Sequence, residues 1–305
     1  MRGKRENTES VRQQGINLLN KMFLQGKGTS KHKDKLTGKT ADKIYSDVTL
    51  QTYKQAWNDY CDSLKANNFK VNGHTPRTLE EASEFVNQYL EELCNRPGKT
   101  EGSSLSAWSV RTKFAGVGKV LKLSAKDYQL PSRKTDSITR SRTDTKSDKH
   151  FSEKNNSELT NFCRCTGLRN KKELQQIKND CLVVNADGSF SVRVKGKGGK
   201  LREAPIIGSE SQVKAVVNRI KSTADGVPIW QHVHSHADIH GYRREYANSL
   251  YNSIARNTAS LSRKEKYICR GNSYKEFDRA AMQTVSFALG HSRLNVVAEH
   301  YLNRE

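Results

Sequence analysis

From residue 45 onward apolar residues recur with helical spacing. Leu50, Tyr53, Trp57, Tyr60 and Leu64 fall every three or four positions and predict a first helix. Thr78 with Glu81 three places later has the form of a capping box, and Ala82, Phe85, Val86, Tyr89, Leu90 and Leu93 share one face of the helix it would open. A third helix is predicted over Leu105 to Leu123, with Trp108, Phe114, Val117, Val120 and Leu121 inward. Gly116 and Gly118 either loosen it or admit a close neighbour. The spacing predicts a small all-helical domain over 45–130, whose aromatic residues are core rather than a base-stacking platform.

The flanks read differently. Residues 1–44 form a basic arm: the first 40 carry ten Lys/Arg against three Asp/Glu, and Gly26 to Lys33 lacks apolar periodicity. At most one short helix is expected there, using Ile16, Leu18, Leu19, Met22 and Phe23. Residues 131–149, PSRKTDSITRSRTDTKSDK, have no face to bury and read as a linker. A second domain spans 150–305. Its pattern predicts a helix from Ser152 to Cys165, then strands at 181–184, 190–194 and 202–207. Asn185 to Gly188 makes the first turn, and the glycine-rich tip Lys195 to Lys200 the second. Helices are predicted again at 211–221, 239–255, 275–289 and 294–302. The fold class is mainly α with a small antiparallel sheet (α+β).

Composition narrows the partner. Hydrophobic residues make up 34% of the 305, so cores are modest, and the net charge is +21. Such a field draws in a polyanion, and nucleic acid fits better than an anionic membrane. No apolar run reaches the roughly eighteen residues of a spanning helix, and the opening MRGKRENTES lacks an apolar signal core. A cytoplasmic, nucleoid-associated protein is expected. Cys61, Cys94, Cys163, Cys165, Cys181 and Cys269 are scattered and read as reduced thiols.

Candidate chemistry gathers in the second domain. Thr166-Gly167-Leu168-Arg169 places an arginine at a helix entrance, and Lys197 sits in the hairpin tip. His240 and Arg243 are three apart, on one helical face. Leu289-Gly290-His291 opens the last apolar helix, and Tyr301 follows ten residues later. In order, Arg169, Lys197, His240-x-x-Arg243, His291 and Tyr301 resemble the tyrosine recombinase (phage-type integrase) family. T-G-L-R, G-K-G-G-K-x-R-x-x-P and L-G-H carry the likeness, which covers roughly 150–303. The helical domain resembles that family's core-binding domain.

The resemblance implies site-specific DNA recombination through a 3′-phosphotyrosyl intermediate, with no cofactor and no metal. Arg169 and Arg243 would clamp the non-bridging oxygens of the phosphorane, a task suited to planar guanidinium forks. Tyr301 would be the nucleophile; a free phenol has a pKa of about 10 and needs help to lose its proton. His240 would give that help, Lys197 would protonate the departing 5′ oxygen, and His291 would donate to a phosphate oxygen. The implied partners are double-stranded DNA carrying recombination sites, three further subunits in a tetramer, and DNA-bending accessory proteins. The implied role is integration or excision of a mobile genetic element. Lys195, Lys200, Arg202, Arg133, Lys134, Arg140 and Arg142 are expected DNA contacts.

Three features depart from the family pattern. Glu173 follows Arg169 one place later than the family's glutamate. The stretch from Arg243 to His291, with Arg263, Lys264, Glu265 and Lys266, is longer and reads as a surface insertion or an extra DNA contact. Few residues follow Tyr301, where many relatives have a segment that docks on a neighbouring subunit. Other readings are a type IB-like topoisomerase using the same chemistry, and a non-catalytic DNA-binding protein. His232, His234, His236 and His240 fall within nine residues, the first three alternating, and could bind zinc, but a loop leading into the His240 helix fits better.

Overall fold

In the computed structural model, which describes residues 9–98, 101–133, 148–169, 173–196, 201–269 and 275–302, the first helices assemble around Trp57. Helix α1 (Val11–Gly26) starts at Ser10, whose Oγ accepts the Gln13 N–H. A short α2 (Lys31–Leu36) follows, then α3 (Asp47–Ala66), capped by Ser46. Trp57 on α3 is fully buried, and its indole N–H donates to the Arg12 carbonyl at 3.0 Å. The helices meet at Gly15: a Cβ there would lie 2.2 Å from the indole. Val11, Leu19 and Met22 face inward, and Ile44 is buried with them.

The basic-arm reading of 1–44 is therefore corrected. Val11–Gly26 is part of the core of the first unit, and the single short helix expected there is a 16-residue one. Its apolar face is narrow and flanked by cations, so composition hid it. The predicted second helix is two: α4 (Leu79–Ser83) and α5 (Val86–Asn95), with Glu84 and Phe85 turning between them. Thr78 Oγ1 accepts the Glu81 N–H at 3.1 Å, but the Glu81 carboxylate accepts the Arg77 N–H at 2.6 Å instead of closing the box on Thr78. Helix α6 (Ala107–Leu121) packs on α3 at Gly116, where a Cβ would come within 2.6 Å of the Ala56 Cβ. Close approach, not loosening, is the use of that glycine. Asp59 ties three helices together, accepting from Tyr89 at 2.5 Å, Arg96 at 2.8 Å and Lys113 at 2.9 Å. Trp57, Tyr60 and Tyr89 are core aromatics.

The chain divides into two units after Arg133. The second opens with α7 (Ser157–Thr166), which starts later than predicted. A three-stranded antiparallel sheet follows in the order β1 (Leu182–Val184), β2 (Phe190–Lys195), β3 (Leu201–Pro205), with Val192 opposite Ala204. Helices α8 (Glu210–Lys221) and α9 (Ile239–Ile254) come next. Phe162, Leu168, Val192, Ala204, Ile220 and Tyr242 bury one apolar cluster between α7, the sheet, α8 and the start of α9.

The long stretch after α9 holds a hairpin that periodicity missed: β4 (Lys266–Ile268) pairs antiparallel with β5 (Glu276–Asp278). Residues 275–289 are accordingly not one helix. Asp278 ends β5 and caps α10 (Arg279–Ala288), accepting the Ala280 N–H at 3.0 Å. Its carboxyl is held far below the usual range by the Arg256 hydrogen bonds, against the opposing effect of burial. The last helix, α11 (Leu294–His300), closes a second cluster with Tyr246, Phe277, Met282, Val285 and Leu289. The result is mainly α with a small antiparallel sheet. Among the described residues no helix is long and apolar enough to cross a membrane. All six cysteines are free thiols, and only Cys94 is exposed.

Leu19 separates the two readings of the N-terminal segment. Leu19→Ala should lower the stability of the first unit by about 2–5 kcal/mol in urea unfolding, the usual range for a buried leucine. An unchanged midpoint would return the segment to an arm.

Candidate active site

Helix α7 ends at Gly167, whose left-handed φ of +58° turns the chain sharply. A side chain there would also collide with the Tyr246 ring. Leu168 is fully buried beyond the turn and fixes where Arg169 emerges. Arg169 is held twice by Glu173, which accepts its backbone N–H at 2.7 Å and its Nη1 at 3.3 Å. Glu173 is only 2% exposed, yet its carboxyl lies below the ordinary range. Burial pushes it up, but the Arg202 charge, the Arg169 N–H, and the Arg243 and Arg169 charges together outweigh burial.

Arg202 on β3 is not the surface DNA contact expected of it. Its side chain is buried, donating through Nη2 to Glu173 at 2.6 Å and through Nη1 to the Ala288 carbonyl. The strand explains the difference. Arg202 shares the inward face with Ala204, whereas Leu201 and Glu203 point out. That parity, visible in the sequence, was the available signal for Arg202. For Glu173 the signal was an acid close behind Arg169.

Arg243 lies in the second turn of α9, behind the Asp238 cap, whose carboxylate accepts the Gly241 N–H at 2.9 Å. It is 2% exposed. Its Nη1 donates to the Gly167 carbonyl and its Nη2 to the Leu289 carbonyl. Arg169 Nη2 donates to the same Leu289 oxygen at 3.2 Å. Burial holds Arg243 down to about 10, so it stays charged at neutral pH.

Tyr301 is buried at the end of α11. Its phenol oxygen lies 3.3 Å from Arg243 Nε and 3.4 Å from His291 Nε2. A guanidinium can only donate, so the phenol accepts from Arg243; towards His291 it donates in the tautomer whose Nε2 is unprotonated and accepts in the other. Burial, followed by the charges of Arg243, Arg169 and Arg202, lowers the His291 pKa to about 4, which supplies that neutral imidazole. His240 lies at the exposed rim, its ring edge-on to Tyr301 with centroids 5.4 Å apart. Desolvation of its ring, then the Arg243 charge, also lower its pKa. The imidazole within hydrogen-bond distance of the phenol is thus His291 and not His240.

Arg169, Arg243, His240, His291 and Tyr301, spread over 133 positions of sequence, meet in one cluster. Lys197 and Lys200, with Lys134, Arg140 and Arg142, lie outside the described residues. Lys195 is exposed at the end of β2, and Arg133 is exposed in the first unit. The histidine-rich loop makes contacts with the segment before α7. His236 pairs with Asp148 at 3.1 Å, and His234 packs on Phe151 and His236. Among the described residues no group of three His, Cys, Asp or Glu could hold a metal ion.

No protein-family model matches the chain, and no curated protein matches it. Among solved structures, the XerH site-specific recombinase bound to difH substrate in a pre-cleavage complex is similar. It is 13% identical, over 95% of this chain and 90% of that chain, with a TM-score of 0.48. XerH bound to palindromic difH substrate in a post-cleavage complex is 14% identical, over 97% and 86%, with a TM-score of 0.46.

Two predictions test the electrostatics. Glu173→Gln leaves Arg202 buried without its anion, and should cost about 3–5 kcal/mol in urea unfolding of the second unit. A loss within error would show that the pair is dispensable. His291 should titrate near 4 by NMR, and Arg169→Leu should raise that value. Because its folded pKa lies below the ordinary 6.5, the unfolded chain takes up the proton first. The contribution of neutral His291 is therefore complete above about pH 6.5 and is lost as pH falls towards 4. His291→Asn should flatten that part of the stability curve, and an unchanged slope would assign it to another group.

Proposed function

We propose that this chain is a tyrosine-type site-specific recombinase, which breaks and rejoins DNA strands through a phosphotyrosyl bond at Tyr301. The observation that carries the reading is the placement of the Tyr301 phenol oxygen between Arg243 Nε and His291 Nε2, beside a second guanidinium that shares the Leu289 carbonyl with Arg243. A buried structural tyrosine needs one hydrogen-bond partner. A nucleophile needs a proton acceptor on one side and cations on the other.

The chemistry follows from those contacts. The phenol oxygen attacks phosphorus, and its proton passes to His291, with His240 available at the rim. His291 is a weak base while it is desolvated among arginines. A phosphodiester arriving among them brings negative charge, which raises the imidazole's proton affinity as the phenol needs it. Arg169 and Arg243 hold the non-bridging oxygens as the phosphorane forms. The 5′ oxygen leaves with a proton, for which Lys197 in the hairpin tip is the proposed donor. The 3′-phosphotyrosyl bond conserves the energy of the broken linkage. Attack by another strand's 5′-hydroxyl restores the phosphodiester and releases the phenol, so the cycle consumes no nucleotide.

The finer assignments are part of the same proposal. Double-stranded DNA is the substrate, with +21 of net charge to attract it. The helical first unit would serve as the core-binding domain, with 131–149 as linker and Lys195, Arg133, Lys134, Arg140, Arg142 and Lys200 along the backbone. Four subunits would act on two sites, with accessory DNA-bending proteins, in integration or excision of a mobile element.

Protein-linked DNA is the test. The protein is incubated with a pool of nicked duplexes of random sequence and denatured in detergent, and the attached DNA is sequenced to recover the preferred site. Wild type should yield adducts, and Tyr301→Phe none. Equal yields, or no adduct on a duplex the protein binds tightly, overturn the reading. Relaxation of a supercoiled plasmid lacking the recovered site would instead favour a topoisomerase.

A further inference from the structure

Helix α11, which leads into the proposed nucleophile, is short. It has seven residues, and its N-cap Arg293 makes no side-chain capping bond. Val297 and Ala298 bury one face in the second cluster, which places the helix but does not by itself set the backbone at Tyr301. The phenol can lie between Arg243 and His291 only if something fixes the backbone behind it.

Asn248 supplies such a fixture. It lies on α9, five residues beyond Arg243, and is half-buried. Its Nδ2 donates to the Arg244 carbonyl on its own helix at 2.9 Å and to the Tyr301 carbonyl at 2.7 Å. An amide nitrogen carries two hydrogens. The Arg244 bond fixes the amide group, and the second hydrogen is thereby directed at Tyr301. The accepting carbonyl is one that the end of α11 leaves without a helical partner. One rigid helix thus touches Tyr301 three times: His240 at the ring edge, Arg243 at the phenol oxygen and Asn248 at the backbone.

We propose that Asn248 is a positioning residue for Tyr301, holding its backbone so that the phenol oxygen stays in the arginine–histidine site of the same chain. The role rests on the recombinase reading; the contact does not. The role requires a hydrogen-bond donor. Aspartate has the shape without the hydrogen, leucine has the bulk without polarity, and glutamine keeps the donor one methylene further out.

The experiment has two arms, both on the full-length protein. In the first, hydrogen exchange should show peptides covering residues 294–302 exchanging faster in Asn248→Leu than in wild type, with α10 and β2 unchanged. In the second, single-turnover cleavage of the recovered suicide duplex is followed in preformed complexes. Asn248→Leu and Asn248→Asp should cleave about 100-fold more slowly, as expected for a reacting group displaced by about an ångström. Duplex affinity should be unchanged, and Asn248→Gln should recover most of the rate. Wild-type cleavage by Asn248→Leu overturns the proposal while leaving the recombinase reading intact. Equal loss in the leucine and glutamine variants also overturns it, since shape and not donation would then be at work. Faster exchange at 294–302 in a protein whose wild type forms no adduct removes the recombinase reading and the positioning role together, and leaves only the contact.

Discussion

Three arginines meet at the end of α10, and the site depends on what keeps them there. Arg202 holds the Ala288 carbonyl, while Arg169 and Arg243 both hold that of Leu289. Alone, the guanidinium groups would repel one another in a poorly hydrated place. One buried carboxylate, Glu173, touches two of them. The exposed carbonyls at a helix C-terminus add roughly half a negative charge. Three cations less one carboxylate less that half charge leave about +1.5 at the site. A phosphodiester brings one negative charge, and a pentacoordinate phosphorane a second. The cluster is thus balanced for an occupant more anionic than the phosphodiester itself, which is the condition for stabilising a transition state over a ground state.

That Arg169, Arg243 and His291 stand out was legible because each belongs to a short local motif. Gly167 before Arg169, His240 three before Arg243, and Gly290 before His291 are adjacent in sequence for local reasons: a left-handed turn, one face of a helix, and a helix end. What was not legible was depth. Arg202 opens the strand predicted at 202–207 and, next to the basic hairpin tip, is expected as a DNA contact. Alternation along β3 put it inside with Ala204, and only the tertiary arrangement of Glu173 and α10 made burial of a cation tolerable. Similarly, which histidine meets the phenol depends on where α11 docks, a contact between residues ten apart across a turn for His291 and sixty-one apart for His240. Spacing within a motif carries no information about that.

The first unit shows the same division. Its helices were legible from Leu50 to Val120 because their apolar stripes are wide and continuous. Helix α1 was legible only as one short helix around Ile16 to Phe23 and not as core, since its stripe is narrow and its use depends on Trp57 lying 45 residues away. Gly15 is meaningful only once the indole is in place. The β4–β5 hairpin escaped for a related reason. Its strands have three residues each, below the length at which alternation can be told from chance.

The arginines that would hold the phosphate also set the protonation state of the group that would accept the phenol's proton. The pKa of His291 is driven to about 4 by desolvation and by Arg243, Arg169 and Arg202. A protonated imidazole there could not accept from Tyr301, and the phenol proton would have no acceptor at 3.4 Å. The same cations that prevent early protonation are partly neutralised when a phosphate occupies the site, so the imidazole gains basicity only with substrate bound. On the proposed reading this is a timing device made of static parts. Burial, and then the charges that would seat the phosphate, keep His291 neutral in the empty site.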